Sequence, residues 1–176
     1  ELVGLATVND FRELERICST RKMHDCTEES IQKQIDHGSQ DTEIQARLGK
    51  LFFQKKDKAS AYKAFTNYFT KRGRDVEAAF MFAVLLQDLN SLDQSIAYLQ
   101  FVLKHDADQK YHLQATRQYV KILVAKQNFQ QAKDMIFKVR AGYQKANMFM
   151  EDTLQLIQDQ LSRKADQPAQ HPKKKS

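Results

Sequence analysis

Apolar positions recur along the chain at spacings of three and four residues, and short polar stretches interrupt them. The clearest stretch is 48–68. Leu48, Gly49 and Phe52 fall on one face of a first helix, and Ala61, Phe65 and Tyr68 on one face of a second. Asp57, between them, can accept hydrogen bonds from the free amides that open the second helix. Gly49 lets the neighbouring backbone come close. The pattern predicts a helical hairpin, and it returns. Shifted by 34 residues, the seven positions become Phe82, Ala83, Leu86, Ser91, Ser95, Leu99 and Val102. A further 37 residues bring Tyr119, Val120, Leu123, Asn128, Ala132, Ile136 and Val139. Size class and capping class are kept throughout, except that Val120 takes a small-residue place. A two-helix unit with a period near 34 means an all-α helical-hairpin solenoid.

The predicted helices lie near 41–55, 58–71, 75–89, 92–105, 109–126 and 129–144. Lys71, Arg72, Gly73 and Arg74 form a turn, and the extra residues Lys110, Tyr111 and His112 extend the next helix by about one turn. Before these units, Asn9 or Asp10 caps a helix carrying Phe11, Leu14, Ile17 and Cys18 and ending near Arg21. Thr27 then caps a shorter helix with Glu28 and Glu29 in its first turn and Ile31 and Ile35 as its stripe, ended by Gly38. Residues 6–38 read as an atypical end unit, since the exposed end of a stack needs one polar face. At the other end Met150, Leu154, Ile157 and Leu161 make one apolar stripe. We read it as a helix that closes the core of the third unit; a segment that detaches or mediates dimerisation is the alternative.

At the residues just quoted the chain resembles the tetratricopeptide repeat (TPR) family, over 42–75, 76–109 and 113–146. Two family features are absent: Gln45, Ala79 and Thr116 hold the place of the early aromatic, and both prolines lie in the tail. The resemblance implies that the first helix of each unit lines a concave face through its second, fifth, ninth and twelfth positions. Those carry Glu43, Ala46, Lys50 and Phe53, then Glu77, Phe80, Val84 and Gln87, then Gln114, Arg117, Lys121 and Val124. Stacking does not require apolar residues at 53, 80, 84 and 124. They either line a binding groove or, for Phe53 and Phe80, pack against the N-terminal hairpin or the last helix. Family members that grip a C-terminal carboxylate use a Lys and Asn set, and the matching places hold Ala46, Lys50, Met81, Gln114 and Gln118. Recognition of that kind is disfavoured.

At 176 residues, with few Gly and Pro, the chain suits one helical domain over 1–163 followed by a disordered basic tail over 164–176. Net charge is +6, but Arg163, Lys164, Lys173, Lys174 and Lys175 against Asp166 place +4 of it in the last fourteen residues. The body is nearly neutral. No apolar run approaches the roughly 20 residues needed to cross a bilayer. Two cysteines, Cys18 and Cys26, suggest reduced thiols and a cytoplasmic protein. A chain starting at Glu1 also fits a trimmed or excised piece, or a mature exported form in which a Cys18–Cys26 bridge becomes available.

Enzyme motifs are absent, and the five glycines are too scattered to cradle a phosphate. Cys18, His24 and Cys26 could converge, but a metal would need Asp25 or His37 as a fourth ligand from an unpromising position. No metal or cofactor is expected. The main expectation is a non-catalytic adaptor holding a peptide, helix or folded partner in the groove. Phe53, Phe80, Val84 and Val124 serve as apolar contacts, and Lys50, Arg117 and Lys121 face acidic groups. Two rivals are a small chaperone for secreted proteins and a protein that binds nucleic acid or an acidic membrane surface through its tail.

Overall fold

A computed structural model describes residues 6–142 and 150–165, which form nine α-helices and no strand. The chain divides into two compact units, residues 1–98 and 99–176, each treated by itself below. Residues 143–146 of the expected third repeat and 166–176 of the expected tail lie outside the described residues.

The first unit opens with α1 (Val8–Thr20) and α2 (His24–Asp36), packed on one another. Thr7, rather than Asn9 or Asp10, caps α1. Its side chain accepts from the Asp10 amide while Asp10 Oδ2 accepts from the Thr7 amide at 2.7 Å, a reciprocal box. Thr27 is likewise not a cap, since α2 begins three residues earlier at His24. Its hydroxyl donates back to the Met23 carbonyl at 2.9 Å. Cys18 in the last turn of α1 and Cys26 in the first turn of α2 have their Cα atoms 5.8 Å apart, and their sulfurs are bonded. The reduced pair suggested by the cysteine count is therefore replaced by a bridge, because the tight hairpin brings both residues to one place.

Next come α3 (Ile44–Gln54), α4 (Lys58–Thr70) and α5 (Val76–Asp88), with α3 packed on α2, α4 and α5, and α4 on α5. α3 starts later than expected, because the Asp41 carboxylate accepts from the Glu43 amide at 2.9 Å and holds that stretch as a turn. Asp57 caps α4 as expected, accepting from the Ser60 amide at 3.1 Å. Gly49 is needed where it stands: a Cβ there would lie 2.5 Å from the Phe65 ring. Gly73 is needed too, since its Cβ would meet the Tyr68 ring at 2.3 Å. The Tyr68 hydroxyl accepts from the Arg74 and Asp75 amides, each at 3.0 Å, and donates to Glu43 at 2.7 Å. Phe65, Phe69, Phe82 and Tyr98 then form one aromatic core.

α6 (Leu92–His105) carries the boundary between the units, and Ser95 Oγ donates to the Ala83 carbonyl at 2.8 Å. In the second unit α7 (His112–Ala125) packs on α8 (Phe129–Gly142), and α8 on α9 (Glu151–Ala165). The inserted Lys110 and Tyr111 do not lengthen α7. They form its entry turn, where Asp106 accepts from the Tyr111 amide at 2.6 Å and the helix starts only at His112. α9 buries Leu154 and Ile157 and closes the α7–α8 pair, and it runs two residues into the expected tail.

The repeat register is visible in burial. Gly49, Ala83 and Val120 are all buried, as are the Ala61, Ser95 and Ala132 set, the Phe65, Leu99 and Ile136 set, and the Tyr68, Val102 and Val139 set. At the remaining packing places Leu48 and Phe52 are half-buried, while Phe82, Leu86, Tyr119 and Leu123 are buried. Asp57, Ser91 and Asn128 each accept the first backbone bond of the following helix. Among the described residues, seven other than glycine adopt the left-handed conformation, including Lys22, Lys56, Arg72, Asn90 and Gln127, each two residues past a helix end. The fold is an all-α array of helical hairpins of the tetratricopeptide type.

Candidate partner-binding surface

In the first unit α3 presents Lys50 and Phe53, and α5 presents Phe80 and Val84, all half-buried. Lys50 does not stand alone. Its ammonium lies 2.6 Å from Asp75 Oδ2 and 2.9 Å from Glu77 Oε2. Burial alone would push this lysine down, but the hydrogen bonds from both carboxylates outweigh it and hold its pKa above the ordinary 10.5. Lys50 thus ties α3 to the start of α5, where Asp75 also caps by accepting from the Ala78 amide.

Beside Lys50 lies a polar cavity of about 550 Å³, lined by Glu15, Lys22, His24, Arg47 and Glu77 among others. Two of its cations, Arg47 and Lys50, are paired within the fold. Arg47 Nε lies 2.8 Å from Glu15, and Arg47 also donates to Asp41 at 2.7 Å and to Gln34 at 3.1 Å. Gln34, wholly buried, donates to Glu15 at 2.6 Å.

Phe53 belongs to a second cavity of about 550 Å³, at the C-terminal turns of α3 and α5. Phe53 packs on the buried core that includes Ala61, Phe65 and Leu86. With Met81 and the buried Leu85 it lines the cavity, and Lys56, Lys58 and Asp88 stand around it. The core that Phe53 packs on is the one shared by α3, α4 and α5. Met81, Leu85, Lys56 and Lys58 were not among the residues that position counting selects. The cavity depends on how α3 and α5 lie together, and only the cluster Lys55–Lys56–Asp57–Lys58 hinted at it in the sequence.

The second unit holds the remaining candidates. Arg117 and Lys121, one turn apart on α7, are exposed, and Val124 is half-buried. Val124 lines a shallow cavity of about 310 Å³ with Phe129 of α8 and Leu156 of α9. In the first unit Phe53 shares its cavity with Met81 and Leu85 of α5, and the lining does not include the candidates Phe80 and Val84; in the second, Val124 shares its cavity with Phe129 and Leu156. Among the described residues, no helix is long and apolar enough to cross a membrane.

This arrangement is that of a helical-hairpin repeat protein, and solved structures of that kind share its fold. The crystal structure of MamA superposes with a TM-score of 0.62 at 12% identity, over 91% of this chain and 81% of that one. YrrB, described as a TPR protein with an unusual peptide-binding site, superposes with a TM-score of 0.67 at 16% identity, over 83% of this chain and 74% of that one. No protein-family model matches the chain. No curated protein matches it either.

Proposed function

We propose that this protein is a non-catalytic interaction module that holds a peptide, helix or folded partner against the face shared by α3 and α5. The observation that carries this reading is the set of half-covered apolar side chains there, Phe53 on α3 and Phe80, Met81 and Val84 on α5, next to a core in which Phe65, Phe82 and Leu86 are buried. A fold saturates its own core first, so apolar groups left half-covered beside a cavity suit a partner's side chains. The shared fold with a repeat protein said to have a peptide-binding site supports the same reading. In this reading Lys50 is a brace for the α5 entry, and acidic recognition falls to lysines with less internal pairing. The Cys18–Cys26 bridge also suits an oxidising compartment better than the cytoplasm, where thiols are kept reduced.

The test is affinity selection of a random library of peptides, each about twelve residues long, on the full chain, followed by titration against Phe80→Ala. The variant should bind the selected peptides at least about tenfold more weakly while its helical circular dichroism is kept. Unchanged affinity would reject this face.

A further inference from the structure

Resting on the reading that α3 and α5 carry the partner surface, we propose that the cavity at their C-terminal turns takes the apolar side chains of an acidic peptide, whose carboxylates meet Lys56 and Lys58. The volume, about 550 Å³, lies within the roughly 300–1,000 Å³ of sites that enclose small ligands. It is larger than one side chain needs, so a pair of apolar residues fits. Phe53 and Met81 form its wall and Leu85 its floor. The Met81 thioether is flexible enough to follow different shapes.

Charge decides between the two large cavities. In the first, Arg47 and Lys50 already have carboxylate partners on the fold, and the exposed Lys22 shares the lining with Glu15 and Glu77, so no acidic ligand is singled out. Around the apolar one the balance differs. Lys55 is held by Asp25 and Glu28, at 2.9 and 2.7 Å, and is not part of the cavity lining. Lys56, next to it, is exposed and has no carboxylate partner among the described residues. Lys58 pairs with Asp88 at 2.8 Å, but both side chains are about half exposed, and such pairs contribute little. An ammonium has three donors, so Lys58 can donate to a second carboxylate while Asp88 stays in place. The rim therefore carries one unmatched positive charge over an apolar floor. An apolar segment flanked by Asp or Glu complements it; a basic segment meets Lys56 unfavourably.

The probe is the same random peptide library displayed on phage, panned on the full chain, with selected peptides then synthesised and titrated. Selected sequences should join one or two large apolar residues to Asp or Glu within a few positions. Met81→Glu should abolish binding, and the exposed Lys56→Glu should weaken it about tenfold and favour peptides whose acids are replaced by Lys. Affinity for the acidic peptides should also fall as salt rises. A basic or wholly polar consensus, no selected peptide at all, or indifference to Lys56→Glu would overturn the proposal. If Phe80→Ala abolishes binding while Met81→Glu and Lys56→Glu leave it unchanged, the face stands and the occupant is wrong. If Phe80→Ala is also silent, the face itself is wrong.

Discussion

In the α3–α4 hairpin two helices meet through the bare backbone at Gly49 and the flat of the Phe65 ring, whereas in α1–α2 they meet through Glu15, Gln34 and a sulfur bridge. The first contact is apolar and depends only on a small residue facing a large one. That rule can be copied with a period near 34, and the matching places hold Ala83 and Leu99 and, with a larger residue in the small place, Val120 and Ile136. The second contact depends on particular partners. Glu15 and Gln34 satisfy one another, and Arg47 of α3 reaches both. Buried polar groups of this kind are tolerated only when every member is matched. An end unit has a neighbour on one side only, and it gains order from covalent and polar ties instead of from a second packed face.

The largest effect should come from removing the ring that defines the apolar contact. Phe65→Ala, wholly buried, should lower unfolding free energy by about 3–5 kcal/mol. Urea denaturation would measure it, and hydrogen exchange should show protection lost in α3 and α4 first. Loss spread equally over α1 and α2 would mean that the two hairpins are not distinct in how they are held.

Opening the sulfur bridge comes next. It closes a loop with a sequence separation of 8, and replacing both cysteines by serine should cost about 2–3 kcal/mol, read in the same denaturation experiment. Exchange should rise chiefly between 18 and 26. If the double variant is as stable as the parent, the polar contacts alone hold the end unit.

The smallest effect is expected from protons. Burial by itself raises the Asp41 carboxyl, but the hydrogen bonds from Arg47 and the Glu43 amide prevail and hold it below its ordinary 3.8. A group depressed in the folded state contributes stability that is complete above its unfolded value and is lost as pH falls through the folded one. Unfolding free energy should therefore decline as pH drops from about 4 towards 2, and Asp41→Asn should flatten that decline. An unchanged slope would mean that the Asp41 carboxylate adds nothing to stability.

The repeat was readable because it rests on local rules. Helix spacing, the Asp57 cap and the small residue at 49 each follow from a handful of neighbours in sequence. The end unit was read less well. Thr7 and Asp10 cap reciprocally where Asn9 or Asp10 alone had seemed sufficient, and the start of α2 at His24 carries no side-chain cap to announce it. The insertion before α7 was misread because length was assigned to the helix, while Asp106 folds those residues into its entry turn. At the candidate surface, counting positions selected Lys50 and Phe53 but not their surroundings. That Lys50 is occupied by Asp75 and Glu77, and that Phe53 shares a cavity with Met81 and Leu85, are consequences of how α3 and α5 cross.

The left-handed residues at the helix ends have a consequence of another kind. An ordinary side chain there costs the folded state about 1–2 kcal/mol, more than its lower freedom in the unfolded chain returns relative to glycine. Strain therefore sets what each corner tolerates: β-branched residues are disfavoured. Exchange among unbranched polar residues of the kind already present leaves that strain the same, so within this set the chain can be rewritten at little cost. Lys22, Lys56 and Arg72 are three of these corners, which lets the outward chemistry of the molecule change while its hairpins stay as they are.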